Sequence, residues 1–315
     1  ITPVSNLLVP VGLAYAVVGR LRRRLVKPQA VSVPVICIGN LVAGGAGKTP
    51  VALSVGARLL ERGLKVHFLS RGYGGRLEGP VRVSPERHGA AEVGDEPFLL
   101  ADVAPCWVAR DRVAGANAAI EDGAGAIVMD DGHQNPTLEK SVSIVVIDGE
   151  TGFGNGRLIP AGPMRETVSE GLARADAVAI LGENRTGVTA VIPRNIPVLR
   201  GTLEPSDDSR KFAGKRVCAF AGIGRPEKFF ATLDAMGCKI VARHGFPDHH
   251  PYSRAEIEAI VETARARDAV PVTTGKDAVR LPPDLRDAVR IVHVQVVWRE
   301  PELLDRVLAK STRNG

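Results

Sequence analysis

The chain has 315 residues, enough at roughly 150 per domain for two domains or one large one. Apolar residues make up 44% and charged residues 24%, a globular balance that excludes wholesale disorder and collagen-like repeats. The net charge of +6 is local, since Arg20, Arg22, Arg23, Arg24 and Lys27 alone supply +5; with 4% aromatics, neither a uniformly basic nucleic-acid face nor a stacking platform is expected.

At the N-terminus an apolar stretch (residues 3–18) precedes the basic run GRLRRRLVKP. A secretory signal carries its positive charge before the apolar segment, so this order is reversed. A transmembrane span is disfavoured by the short length and by Pro10, which removes a backbone donor mid-segment. Residues 1–28 are therefore expected to form a helix in a membrane interface, apolar side toward the acyl chains and arginines toward anionic headgroups. The competing reading is a core-packing helix with a solvated basic end.

Beyond it, strand-like runs at 33–39, 65–70, 125–130, 142–148 and 177–181 alternate with helical patterns at 48–63, 111–122 and 169–175. Such alternation predicts a parallel sheet covered on both faces, assigned to residues 29–204. A polar stretch at 204–211 marks a boundary, after which the pattern restarts. Strands at 216–221, 239–243 and 270–273, with helices at 226–236 and 253–267, predict a second, smaller α/β domain over 205–298. Extended segments at 196–203 and 289–297 bracket that domain and are expected to pair as a connector. The last segment, 299–315, with a helix at 300–310, is expected to return to the first domain. The four cysteines (Cys37, Cys106, Cys218, Cys238) lack C-x-x-C spacing and mostly lie in apolar runs; buried free thiols are expected.

The strongest chemical signal is VICIGNLVAGGAGKTP at 35–50. A strand runs into a glycine-rich turn and then a helix, an arrangement whose backbone N–H groups and helix N-terminus bind phosphate. Gly44, Gly45, Ala46 and Gly47 would form the cradle, Lys48 would reach the β- and γ-phosphates, and the Thr49 hydroxyl would bind Mg²⁺. Pro50 suits a first helical turn. Val42 stands where G-x-x-x-x-G-K-[ST] asks for glycine. The fold class read from these features is α/β: a P-loop NTPase-like parallel-sheet domain, a smaller α/β domain and an N-terminal membrane-associated helix.

A phosphate loop needs an acid for the metal. The apolar strand AIVM runs into Asp130 and Asp131, which fit that role. Asp148, at the end of VVIDGE, has the same look but lacks the doubled acid and is read as a turn. For a base, two loops stand out: VGDEP, with Asp95, and FPDHHP, with Asp248 and His249. Asp95 also suits the N-cap of the following helix. The loop GPMRE offers Arg165 to phosphate and Glu166 to metal.

Taken together, GNLVAGGAGKTP (39–50), SRGYGG (70–75), VGDEP (93–97), DDGHQN (130–135), PAGPMRE (160–166), FAGIGRPEKF (220–229), FPDHHPYS (246–253) and TTGKDAVRL (273–281) resemble the tetraacyldisaccharide 4′-kinase family of lipid A biosynthesis, which likewise lacks the first loop glycine. The resemblance implies transfer of the ATP γ-phosphate to the 4′-hydroxyl of a lipid-linked glucosamine disaccharide 1-phosphate, giving the lipid IVA type of precursor. It implies ATP and Mg²⁺ as cofactors and a monotopic location on the cytoplasmic face of a Gram-negative inner membrane; no obligate protein partner is evident in the sequence. It also implies Asp95 as catalytic aspartate, Asp248 and His249 as its supports, and Asp130, Asp131 and Glu166 as metal-side carboxylates beside Arg165. Arg112 matches a family arginine near the phosphates.

Since the base lies in the first domain and its histidine in the second, domain closure is expected to gate transfer. Two rivals are weighed. A metallochaperone-type P-loop GTPase would carry an N-K-x-D guanine-reading motif, and Lys276-Asp277 lacks the spacer. A soluble kinase for a small metabolite would bury residues 1–27 as a core helix. The GIGRPEK stretch lacks the third glycine of a dinucleotide fingerprint.

Overall fold

The computed structural model describes residues 3–311. Nine strands form the larger sheet: β1 (Val35–Gly39), β2 (Val66–Ser70), β3 (Val81–Arg82), β4 (Cys106–Val108), β5 (Ala126–Asp130), β6 (Val142–Asp148), β7 (Ala177–Leu181), β8 (Val198–Pro205) and β13 (Val294–Trp298). Their order is β13-β8-β7-β6-β1-β5-β2-β4-β3. Only the two edge strands, β13 and β3, run antiparallel to their neighbours. Every residue of β1, β2, β5, β6 and β7 is buried, as expected of parallel strands covered on both faces. β1 lies between β5 and β6, so the loop after it opens at the point where strand order reverses, the usual ligand crevice of such sheets.

The smaller sheet is wholly parallel, in the order β10-β9-β11-β12. It comprises β9 (Arg216–Ala221), β10 (Lys239–Gly245), β11 (Val270–Thr274) and β12 (Arg290–Val292). The run expected as one segment at 289–297 is thus divided. β12 completes the small sheet, His293 intervenes, and β13 pairs with β8 from Val294↔Pro205 to Trp298↔Gly201. The chain passes between the sheets twice, along these two neighbouring strands.

The last helix, Pro301–Leu308, packs on the large sheet. Leu304, Val307 and Leu308 join the core that holds Val51 and Val55, and Asp305 receives Arg58 at 3.1 Å and Arg62 at 2.6 Å. Trp298 Nε1 donates to Ser54 Oγ at 2.8 Å. All four cysteines are buried and free.

Residues 3–25 form two helices, Pro3–Leu7 and Val9–Leu25. Pro10 does not interrupt a helix; it occupies the first turn of the second, where its missing N–H costs nothing. The usual amphipathic order is inverted here. Small residues face the protein: Gly12 and Ala16 are buried, and a Cβ on Gly12 would meet Leu158 at 3.1–3.2 Å. Large apolar residues face outward, with Leu7, Val11, Leu13, Tyr15, Val17, Val18, Leu21 and Leu25 all exposed. No helix among the described residues is long and apolar enough to cross a membrane.

Of the basic cluster, Arg20 and Arg23 are not free for headgroups. Both pair with Glu170, Arg23 at 3.3 Å, and Arg23 also lies 3.6 Å from Glu166. Arg22, Arg24 and Lys27 remain exposed.

Candidate active site

The fully buried β1 delivers the chain to the loop 40–47, and the helix Lys48–Glu61 starts directly after it. Gly47, at φ +86°, is the one loop position where glycine is doubly required. Its backbone is left-handed, and a Cβ there would come within 2.4 Å of Leu181 Cδ1. Gly44, at φ +112°, and Gly45 have open space where a side chain would stand, which leaves their backbone approachable. Ala46 lies between them and Gly47, its N–H turned back to Gly44 O at 3.2 Å.

On the neighbouring strand, Asp130 ends β5 and is buried. Thr49 Oγ1 donates to Asp130 Oδ2 at 3.0 Å, so the loop hydroxyl and the strand-end acid are in direct contact. Burial pushes the Asp130 carboxyl up to about 6, against the pull of Lys48, and the neighbouring Asp131 adds to the rise. Asp131 turns out of the strand at φ +52°. Its carboxylate takes both Arg165 Nη atoms, at 2.7 and 3.2 Å, and stands 3.8 Å from Lys48 Nζ. Burial would raise its pKa; Lys48 and Arg165 outweigh burial and hold it below the ordinary value.

Arg112 opens the helix Arg112–Glu121 and is buried, donating to Ala109 O. Burial, with Arg71 nearby, lowers its pKa to about 10. Among the described residues four buried side-chain atoms have no hydrogen-bond partner: Asn40 Oδ1, Arg112 Nε, Asp130 Oδ1 and His244 Nε2. The first three belong to the phosphate-loop end of the large sheet. Orphaned polar atoms gathered at one crevice mark a place for a polar ligand.

Glu166 does not join this group, although the resemblance places it on the metal side. It is fully buried, with both oxygens taken by Arg174 at 2.8 and 2.7 Å and Oε1 also by Gln134 at 3.0 Å. Burial alone would raise its pKa; the hydrogen bond and charge of Arg174, with His133 and Gln134, together outweigh that and hold it below the ordinary value. It is a structural ion-pair partner that ties the 160–174 segment to Gln134. His133, inside DDGHQ, is structural as well. Its ring bridges Ser143 Oγ and Gly171 O, both at 2.9 Å, and burial lowers its pKa to about 4.

The VGDEP loop sits at the start of the short helix Glu96–Ala101, which packs against the phosphate-loop helix. Asp95 occupies the N-cap position, yet its side chain caps nothing. At 5% exposure it turns instead to the second domain, where His249 Nδ1 lies 2.8 Å from its Oδ2. His249 holds a left-handed backbone, φ +58°, with its N–H on Gly222 O at 3.1 Å. Its Nε2 is 3.9 Å from Asp248, whose carboxylate is half-exposed, and Tyr73 of SRGYGG tilts over its ring at 6.0 Å.

Two further residues reach this loop, and a third holds one of them, without any local signal of it in the sequence. Arg280 Nε stands 3.3 Å from Asp95 Oδ2, and Lys276 Nζ 2.5 Å from Glu96 Oε1. Asp277 is fully buried and binds Arg280. Their stretch, TTGKDAVRL, carries the resemblance, but nothing local in it points to a partner some 180 positions upstream. The turn expected at Asp148 is present, with Glu150 N–H donating to Asp148 Oδ1 at 3.0 Å. The same carboxylate also takes Arg225 and, at 2.8 Å, Lys228 from the second domain.

A family model described as tetraacyldisaccharide-1-P 4′-kinase matches residues 4–313. A tetraacyldisaccharide 4′-kinase of Rhodospirillum centenum is 58% identical over 306 residues, covering 97% of this chain and 91% of that protein. One from Rhodospirillum rubrum is 55% identical over 314 residues, covering 96% and 94%. A crystal structure of LpxK from Aquifex aeolicus in complex with ATP superposes with a TM-score of 0.80 at 26% identity, covering 98% of this chain and 99% of that one. Agreement over nearly the whole length, in sequence and in a two-domain α/β fold alike, means that the chain belongs to the tetraacyldisaccharide-1-P 4′-kinase family.

Proposed function

We propose that the chain transfers the γ-phosphate of ATP to the 4′-hydroxyl of a tetraacyldisaccharide 1-phosphate, giving lipid IVA, with Asp95 as the general base. One observation carries the assignment of the base. Asp95 is a buried carboxylate at a helix start that declines to cap its own helix and is held by a histidine from the other domain. A cap would have been satisfied locally. An acid turned into the cleft, beside the helix that starts at Lys48, is placed to take the proton of an incoming hydroxyl.

The phosphates would lie on the open backbone of Gly44 and Gly45, with Lys48 reaching the β- and γ-positions. Arg165 and Arg112 add positive charge on the Asp131 side of the loop. Thr49, Asp130 and Asp131 suit Mg²⁺: all are hard oxygen donors, and Asp130 Oδ1 is buried without a partner. Among the described residues no three or more His, Cys, Asp or Glu side chains form a metal cage; a magnesium site built from one or two carboxylates, a hydroxyl and substrate phosphates needs none. The ion, when bound, offsets charge on the phosphate oxygens. His249 orients Asp95 and shields its charge, and Asp248 faces the far side of the same ring. Most of the rate enhancement then comes from positioning and fixed electrostatics.

The inverted amphipathicity of the Val9–Leu25 helix supports a monotopic foot on an anionic membrane surface, on the cytoplasmic side where ATP is found. Arg22, Arg24 and Lys27 are the residues available to headgroups. Arg20 and Arg23 fasten the foot to the body of the kinase instead.

The test is transfer of labelled γ-phosphate from ATP to tetraacyldisaccharide 1-phosphate in mixed micelles. Wild type is expected to label the lipid, and Asp95→Asn to bind ATP normally while losing roughly 10²–10⁴ in turnover. Near-normal turnover in that variant would remove Asp95 as the base.

A further inference from the structure

Asp95 has two carboxylate oxygens, and the fold treats them differently. His249 Nδ1, at 2.8 Å, and Arg280 Nε, at 3.3 Å, both approach Oδ2. Oδ1 has no hydrogen-bond partner among the described residues. Both groups come from the second domain, from two stretches 31 positions apart, and one polar network holds them together.

Asp277 is the centre of that network. Its Oδ1 accepts from Gly222 N–H, Tyr252 Oη and Arg280 Nη2, each at 2.8 Å, and its Oδ2 accepts from Thr274 Oγ1 at 2.5 Å. Arg280 is fixed at its other atoms as well. Nη2 donates to Gly222 O at 3.0 Å, Nη1 to His250 O at 3.0 Å, and the guanidinium lies 5.7 Å from the Tyr252 ring centroid. Gly222 O also accepts the His249 backbone N–H. Hence the guanidinium and the imidazole share one backbone anchor, and neither moves without the other.

The Arg280 side chain is as buried as that of the acid it faces, at 6% against 7% exposure. A guanidinium is seldom buried unless its charge is paired. Here Asp277 already neutralises it, at 2.8 Å from Nη2. Arg280 Nε donates to Lys276 O at 3.3 Å and stands 3.3 Å from Asp95 Oδ2, so the guanidinium faces Asp95 as an ion-pair partner. Lys276 and Arg280 are four positions apart and reach Glu96 and Asp95 respectively, so one short stretch grips both acids of the VGDEP loop.

We propose that Arg280 is a positioning residue for phosphoryl transfer: held by Asp277, it secures Asp95 through Oδ2 and so commits Oδ1 to receive the proton of the acceptor hydroxyl. This deepens the reading of Asp95 as base and rests on it. The proton passes from the sugar hydroxyl to Oδ1 as the hydroxyl oxygen bonds to phosphorus and the bond to the ADP oxygen breaks. The His249 hydrogen bond and the Arg280 charge, both on Oδ2, also hold the carboxylate against rotation, which keeps the receiving oxygen in place.

The experiment is a double-mutant cycle on the full chain, read as single-turnover and steady-state transfer from ATP to tetraacyldisaccharide 1-phosphate in mixed micelles. Arg280→Gln should lower kcat by about 10–100-fold, a part of the ~10²–10⁴ a general base supplies, with KM for ATP unchanged within about twofold. Arg280→Lys should recover part of that loss. In the Asp95→Asn background Arg280→Gln should cost nothing further, because the group it positions is gone. If the Arg280→Gln loss recurs in full in that background, or if its kcat is normal, the proposal is overturned while Asp95 stands as base. Normal turnover in Asp95→Asn alone would overturn the reading of Asp95 itself. Should Arg280→Gln not fold, Arg280→Lys takes its place in the same cycle, judged by the same additivity.

Discussion

Asp130 and Asp148 end two strands that flank β1, and both strands are buried along their whole length. Each acid precedes a tight glycine-containing turn, yet their surroundings are opposite. Asp130 has a single hydrogen bond, from Thr49, and an orphaned Oδ1; burial dominates and its pKa rises to about 6. Asp148 accepts from Arg225, from Lys228 and from the Glu150 N–H; burial is outweighed and its pKa falls below the ordinary value. An acid whose lone pairs are filled by the protein is a strap, here joining the two domains. An acid left short of partners in a dry place is one the fold keeps for something else.

Activity should separate them most. Asp130→Asn is expected to lower transfer on the order of 10²-fold or more, since even outer-shell partners of metal ligands cost 10–100-fold. Stability should then move in the other direction. The folded Asp130 carboxyl titrates near 6 against 3.8 unfolded, so between those values the native state binds more protons. Stability therefore falls as pH rises through that window, and the cost is full above about pH 6. Asp130→Asn removes it, so the nucleotide-free variant should be more stable than wild type at pH 7.5 by about 2–3 kcal/mol in urea unfolding, and equal to it near pH 4. A destabilised variant would mean that Asp130 is satisfied after all.

Asp148→Asn should behave oppositely and more weakly. Its lowered pKa means stability that is present above the unfolded value and lost as pH falls through the acid range. Arg225 and Lys228 are each more than one-third exposed, so screening limits the loss at pH 7 to about 1 kcal/mol, smaller still in high salt. Turnover should drop only several-fold, through looser seating of the second domain. A loss as large as that of Asp130→Asn would collapse the distinction between the two acids.

The N-terminal arginines repeat the lesson. Five basic residues within eight positions suggest a uniform contact with headgroups. Arg20 and Arg23, three apart on one face, meet Glu170, whereas the remaining three are exposed. Charge composition does not say which side of a helix finds an acid from 150 residues away.

Much of the site is legible in the chain itself. The loop at 40–49 and the acids at 130 and 131 follow from local rules: a buried strand must end, glycine alone tolerates the turn, and a helix start binds anions. The GDEP and FPDHHP stretches are recognisable as chemistry-bearing loops, because acids and histidines between prolines and glycines have no core role. Local rules do not fix their pairing across the domains, which depends on how one sheet sits on the other. Glu166 reads as a metal-side acid because a carboxylate beside an arginine in sequence looks available; only the fold brings Arg174 onto it. Arg280 lies in a stretch that carries the resemblance but has no local signal of its own, for a buried guanidinium and a surface one are written with the same letter.

The alternation of strand and helix, the phosphate loop, the strand-end acids and the apolar foot are all written in the order of the residues. These depend on periodicity, backbone permissiveness and the solvation of runs of like residues, all of them short-range. Which acids are satisfied and which are left wanting was settled only on folding. Folding also divided the run 289–297 between two sheets and set Arg280 and His249 on one oxygen of Asp95. Those outcomes depend on desolvation and on partners far away in the chain, and both come into being only when the sheets close over them.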